Sequence, residues 1–415
     1  MRSKKIIASI LTATIFTTIL TSCSNGNVSN GKRQLTLFSN KIEAVDTYNA
    51  LIEEFEKENP DIEVVLTAPP DATTVLKSRF IKEDSPDIIQ LSADRVYADF
   101  VEANILEDLT GKVDLSSIDN IYNKMLKDLE IEKKDGIYGV PYALNASGVI
   151  YNKDIFEELN LEIPTTWDEF IALAQKVQDN GIIPFYFTLK ESWTALPVWN
   201  MIASTLVPSD SFAKVNNREV TFNELYSETA DKVSELLKYG HNDNFGVGYN
   251  DGNIAFAQGK SAMYLQGSYA LPAILSVNPD ANLGMFPLPA TNNPEENKLV
   301  SGVDLYFAIP KDSKNKEDAV KFINFLLEKQ NSQIYIDEQR AFSTLKDVTQ
   351  EDSIFDDLKP YFEESQVVDF QDHFYPGELP ASDMIQTYLL DNDKDKLLNN
   401  FQKEWEKANR EYMKN

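Results

Sequence analysis

The chain has 415 residues, 42% of them hydrophobic, and its 66 acidic against 39 basic side chains give a formal net charge of −27. Such a field excludes holding nucleic acid or lying flat on an anionic membrane by electrostatics, and short of a local basic pocket it disfavours anionic ligands. The length exceeds one ordinary domain, so two bodies with sizeable cores are expected, and a neutral polar small molecule is the ligand that suits them best.

The start of the chain carries Arg2, Lys4 and Lys5 and then an apolar, threonine-rich run from Ile6 to Leu20, the pattern of a signal peptide. The run is short for a membrane span and has no stop-transfer flank. Leu20-Thr21-Ser22-Cys23 resembles the lipobox of bacterial lipoproteins, which implies a leader over 1–22 and an acyl chain on Cys23. A plain secretory signal followed by an unrelated cysteine, or an uncleaved anchor helix, is the alternative. Cys23 is the only cysteine, so the chain forms no internal disulfide. Removing the three basic leader residues takes the remaining chain to −30. Residues 23–33 are expected to be a polar tether, because Ser24 to Gly31 reads Ser-Asn-Gly-Asn-Val-Ser-Asn-Gly. Gly26 to Lys32 has P-loop spacing, but Arg33 replaces the Ser or Thr that would hold Mg²⁺ and no strand precedes it.

The body begins as α/β. Leu35 to Phe38 is a short strand ending at Ser39-Asn40; Tyr48, Leu51, Ile52 and Phe55 then recur at helical spacing until Asn59-Pro60. Ile62, Val64 and Leu66 alternate as in a strand, Thr74 to Phe80 is helical, and Asp87 to Leu91 is a further strand. That order implies a largely parallel sheet, whose ligand sits beyond the carboxyl ends of the strands, at Asn40, Glu43 and the Gln90 to Asp94 loop.

Further on, Thr166 and Glu169 have capping-box spacing ahead of a helix with one apolar face, Phe170, Leu173, Ala174 and Val177, that ends near Gly181. Three stretches in order, Tyr138-Gly139-Val140-Pro141-Tyr142, Val149 to Phe156, and Ile163 to Phe170, resemble the extracellular solute-binding proteins of carbohydrate ABC importers. The likeness continues through Phe256 to Met263, Gly267-Ser268-Tyr269, Pro287-Leu288-Pro289, Gly302-Val303-Asp304 and Ala308 to Gln330, where Ala319, Phe322, Ile323 and Leu326 give a helix its apolar face. It covers nearly the whole chain after the leader. The resemblance implies an α/β, two-lobed periplasmic-binding-protein-like fold with three interlobe crossings, the first near Tyr142 to Asn145, closing on its ligand by hinge motion. Lobe 1 is expected over 34–141 and 290–342, lobe 2 over 142–289 and 343–415. A monomer that hands an oligosaccharide to a membrane permease with a cytoplasmic ATPase is the implied working form, placed on a cell surface, Gram-positive in the first instance.

A sugar presents apolar ring faces rimmed by hydroxyls, so its binder needs aromatic platforms and planar or charged hydrogen-bonding groups. Of the 4 tryptophans, Trp193 lies in a polar loop and is the candidate platform, its alternative being to pack beneath that loop; Trp199 and Trp405 read as core and Trp167 as a helix-start packing residue. Phe370-Gln371-Asp372-His373-Phe374-Tyr375-Pro376-Gly377 resembles a loop of binding proteins for raffinose-type α-galactosides, which implies Phe370 as a stacking surface and Asp372 and His373 as hydroxyl partners. Asn145, Tyr269 and Asp304 complete the implied cleft with Asn40, Glu43 and Asp94. His373 reads equally as a satisfied surface residue. Asp304, an acid in an apolar strand, serves either the ligand or a hydrogen bond at the hinge. Arg340 reads as an ion-pair partner.

Signs of catalysis or cofactors are missing from the sequence. The 2 histidines, His241 and His373, are far apart and have no matching cysteines, so no metal site is expected. No Gly-x-Ser-x-Gly elbow occurs, and Asp391-Asn392-Asp393-Lys394-Asp395 has Lys396 where a Ca²⁺ loop needs glycine, so it reads as a charged turn. No cofactor is expected. The rival readings are a surface glycoside hydrolase using two carboxylates such as Asp304 and Asp372, and a binder of peptide or another polar solute.

Overall fold

The computed structural model describes residues 28–29, 31–70 and 72–414; Cys23 and the expected leader lie outside these residues. The strand Lys32–Ser39 runs parallel to Ile62–Thr67 on one side and to Ile88–Leu91 on the other. Between the first two lies the helix Val45–Glu58, which buries Tyr48, Leu51, Ile52 and Phe55 as one stripe and is capped by Asn59. The strand begins two residues before the expected start of the first lobe, and Val28–Ser29 pairs back on Lys32 and Arg33.

The crossing strands are antiparallel, although Ile183–Phe185 lies parallel to Ser261–Gly267 and Val367–Val368 parallel to Leu299–Ala308. The 13-residue strand Val140–Asn152 pairs antiparallel with Leu299–Ala308 over its first half, from Val140 opposite Phe307 to Ser147 opposite Val300. Over its second half it pairs antiparallel with Ser261–Gly267 and Leu283–Phe286. The register slips between Pro141 and Leu144, and the two-residue strand Phe342–Ser343 joins at Leu144 and Ala143. Three segments therefore lie side by side at the expected crossing. They are antiparallel because each returns the chain toward the body the previous one left.

Three apolar clusters form around these strands. One gathers Tyr48, Leu51 and Phe55 with Phe322, Ile323 and Leu326 of the helix Lys316–Leu326, and it reaches Leu345 and Val348 beyond the last crossing. A second holds Trp167, Phe170, Val177, Trp199, Tyr226, Phe401 and Trp405. Trp199 stacks on Phe401 with centroids 5.8 Å apart. The third, with Phe38, Tyr97, Leu144, Ile150, Tyr264 and Tyr306, lies on the crossing strands and draws from both sides of them. This is a two-lobed α/β fold. Local signals held where they were strong: the Thr166–Glu169 capping box is formed at the start of Trp167–Asp179. The Asp391 to Asp395 run joins two helices, with Asn392 left-handed and Asp393 capping Lys394–Ala408. Arg340 pairs with Asp352, as an ion-pair partner should. Among the described residues no helix is long and apolar enough to cross a membrane.

Candidate functional site

Where the strands Val140–Asn152 and Ser261–Gly267 meet, a cavity of about 140 Å³ is lined by Asn145, Ser147, Trp193, Leu196, Pro197, Asn200, Tyr269, Phe370, Asp372 and His373. Leu196 and Asp372 also line an adjoining cavity of about 230 Å³, with Asp94, Arg95 and Pro376. A larger cavity, about 370 Å³, lies at Phe342 to Glu351 and contains none of the expected residues. The smaller pair is the candidate cleft because exposed aromatic faces and hydrogen-bonding side chains converge there.

Local structure explains how the aromatic rings reach it. Trp193 sits on the tight turn Ser192–Thr194, where the Thr194 hydroxyl bonds the carbonyls of Thr188 (2.6 Å) and Glu191 (2.7 Å) and directs the indole outward. Trp193 is 39% exposed and Tyr269 41%, in a protein whose other large rings are mostly buried. Their centroids are 6.5 Å apart at an interplanar angle of 52°. Tyr269 folds back over Gly267, where a Cβ would lie 2.1 Å from the ring, so only glycine lets it take that place. Its hydroxyl donates to Gln266 at 3.1 Å.

The loop at 369–375 is held from below. Tyr226 donates to Gln371 (3.0 Å), Gln371 donates to the Val207 carbonyl (3.0 Å), and the Trp199 indole N–H bonds the Tyr375 hydroxyl (3.3 Å). Asn200, buried on the helix Ala195–Leu206, donates to Asp372 at 2.9 Å and accepts from its backbone N–H at 3.4 Å. His373 Nδ1 lies 2.8 Å from Asp369 Oδ1, off the line of a hydrogen bond, so the contact acts through charge. Phe370 tilts against the imidazole at 4.9 Å.

The residues expected at the site fall into two linked groups. Asn145, Trp193, Tyr269, Phe370, Asp372 and His373 share the first cavity, and Asp94 lines the second while capping Arg95–Glu102 through the Val96 N–H at 2.8 Å. Asp304 stands beside them with both oxygens on Lys41 Nζ (3.0 and 2.8 Å), and Asn145 donates to it at 3.3 Å. Asn40 bonds Ser92 at 2.9 Å, and exposed Glu43 reaches Lys41 at 3.8 Å. Burial works against the Lys41 ammonium, yet Asp304 outweighs it and holds its pKa above the ordinary value. Asn145 Oδ1 is buried and accepts from no protein group among the described residues, which leaves it free for a ligand hydroxyl.

Lys41, Asn200 and Asp369 were not anticipated. Lys41 lies between two nominated positions, and Asn200 is an amide within an apolar run, a signal that was legible. Asp369 acts through its sequence neighbours, accepting from the Phe370 N–H at 2.8 Å and facing His373.

Burial pushes the Asp372 and Asp94 carboxyls up from their ordinary values, with His373 partly opposing it. Burial also works against the imidazolium, but Asp369, Asp372 and Asp94 together push His373 up to about 9. A histidine whose folded pKa lies above its unfolded 6.5 lends stability that is complete below pH 6.5 and lost as pH rises through about 9. Denaturant unfolding should therefore show a fall of about 2–3 kcal/mol between pH 6 and 9.5, and His373→Gln should flatten it. Parallel curves for the two proteins would mean that His373 is not charged in the fold.

A two-lobed α/β body whose cleft joins aromatic faces to hydrogen-bonding groups is suited to capturing a polar solute. Residues 39–333 match the bacterial extracellular solute-binding protein family, and the chain belongs to it. Members of this family are binders rather than enzymes, which sets aside the hydrolase reading. The chain is 31% identical over 334 residues to the multiple sugar-binding protein of Streptococcus mutans, covering 77% of each. It is 23% identical to the melibiose/raffinose/stachyose-binding protein MelE of Bacillus subtilis, over 88% of this chain and 87% of that one. Among solved structures, RafE in complex with raffinose superposes with a TM-score of 0.77 at 24% identity, covering 90% of this chain and 99% of RafE. The apo form of RafE from Streptococcus pneumoniae gives 0.79 at 25% identity, covering 92% and 99%.

Proposed function

We propose that this chain is the sugar-capturing component of an ABC importer, anchored outside the cell by a lipid on Cys23, which binds oligosaccharides of the raffinose type and passes them to a membrane permease. The observation that carries this reading is the pair of exposed rings, Trp193 and Tyr269, set 6.5 Å apart over a floor of Asn145, Asp372 and His373. A pyranose stacks its apolar face on such rings while its rim hydroxyls meet amide, carboxylate and imidazole. The likeness to sugar-binding relatives supports the same ligand class. Lobe 1 comprises 34–141 and 290–342 and lobe 2 comprises 142–289 and 343–415, so that a sugar bridging them favours the closed form and shifts the population. The closed monomer then offers the permease one patch from each lobe.

Calorimetric titration of the chain from residue 24 onward with raffinose, melibiose, a fructo-oligosaccharide and maltotriose tests the proposal, with products watched in parallel. Raffinose is expected to bind without hydrolysis. Preference for maltotriose would keep the importer and overturn the α-galactoside assignment, and silence across the panel would overturn sugar capture.

A further inference from the structure

We propose that Arg95 is a clasp beside the cleft, holding the lobes together through the C-terminal segment and so setting how long the ligand stays. The inference rests on the two-lobe reading, which places Arg95 in lobe 1 and the C-terminal segment in lobe 2. Arg95 opens the helix Arg95–Glu102, whose Tyr97, Phe100 and Val101 pack in the cluster on the crossing strands. Its guanidinium reaches the far end of the chain: Nη1 donates to Asn409 Oδ1 at 3.2 Å, and the group lies 5.7 Å from the ring centre of Tyr412. Among the described residues, the other side-chain hydrogen bonds from 34–141 to 343–415 lie just past the last crossing, from Thr344 to the Pro141 carbonyl (3.0 Å) and from Lys346 to the Ser116 carbonyl (3.0 Å).

Both sides of this contact are rigid. Asp99 holds the Arg95 Nε at 3.2 Å, and the side chain is only 12% exposed. Asn409 is 1% exposed and caps Lys394–Ala408, so the cation meets the negative end of a 15-residue helix. The segment after it is tied down where Lys414 N–H bonds the Asn216 carbonyl (2.9 Å) and Arg218 Nε bonds the Lys414 carbonyl (2.8 Å). Trp405 Nε1 donates to Asn216 Oδ1 at 2.8 Å. Arg95 does not line the cavity that holds Trp193 and Tyr269, but it lines the adjoining one. A contact from one lobe to the other favours the closed form in proportion to how much stronger it is there than in the open form.

Arg95→Ala and Tyr412→Ala tested by stopped-flow release and by small-angle scattering of the ligand-free protein decide the matter. Release of raffinose should quicken by roughly three- to tenfold, the size of one partly desolvated cation–π and hydrogen-bond contact, while association is not slowed. Arg95→Lys, which keeps the charge but loses the planar group, should fall between. The ligand-free variants should also scatter as larger particles than the wild type. Unchanged release in both alanine variants overturns the clasp. If the wild type binds no sugar of the panel, the sugar reading fails separately, and identical ligand-free scattering then overturns the clasp by itself.

Discussion

Trp193→Ala is expected to weaken raffinose binding by roughly tenfold or more, about 1.4 kcal/mol at least, while leaving the melting temperature within a degree or two of the wild type. The indole is 39% exposed and its turn is held by Thr194 rather than by the ring, so truncation removes a platform without opening a core. Tyr249, whose ring meets the indole edge-on at 4.9 Å, stays in place beside it. Trp199, six positions on, gives the opposite result. It is 0% exposed and stacked on Phe401, so Trp199→Ala should cost about 3–5 kcal/mol of stability and lower the melting temperature sharply. Calorimetry and thermal melts on both variants separate the two roles. An unchanged affinity for Trp193→Ala would remove the indole from the site.

Gly302→Ala is expected to abolish most of the binding from a position that lines neither cavity of the cleft. Gly302 lies opposite Asn145 in the crossing strands. A Cβ there would stand 2.0 Å from Asp369 Oδ1 and 3.0 Å from the Phe370 ring. Asp369 has little room to withdraw, being buried, bonded to the Phe370 N–H at 2.8 Å and set against His373. Relieving the clash moves the loop that presents Phe370, Asp372 and His373, at about 1–3 kcal/mol for an overpacked site. The measured result should be a loss of affinity of tenfold or more together with a lower melting temperature. Full affinity in the variant would show that the carboxylate swings aside and that the loop does not depend on this close approach.

The opposite characters of Trp193 and Trp199 are legible in the sequence, because each follows from its neighbours along the chain: polar residues around the first, an apolar run around the second. The same holds for the Thr166–Glu169 cap and the stripes on Val45–Glu58 and Lys316–Leu326, which depend on spacing within a few residues. Family motifs carried the cleft residues further than spacing could, bringing Asn145, Trp193, Tyr269, Phe370, Asp372 and His373 to one cavity. The parallel-sheet rule did not extend to the crossing strands, because pairing across the hinge is set by the route of the chain rather than by strand content.

The sequence by itself therefore determined the leader-like start, the two-body α/β plan, the helix caps and apolar faces, and which residue types could serve a sugar. Tertiary structure alone decided that Asp304 is engaged by Lys41, that Asp372 is oriented by Asn200, and that Arg95 meets the C-terminal turn. Caps and amphipathic faces have periods of two to four residues and are written locally. A charge pair or an amide–carboxylate pair between distant segments has no period, and it exists only after burial of the apolar faces has fixed which elements face one another.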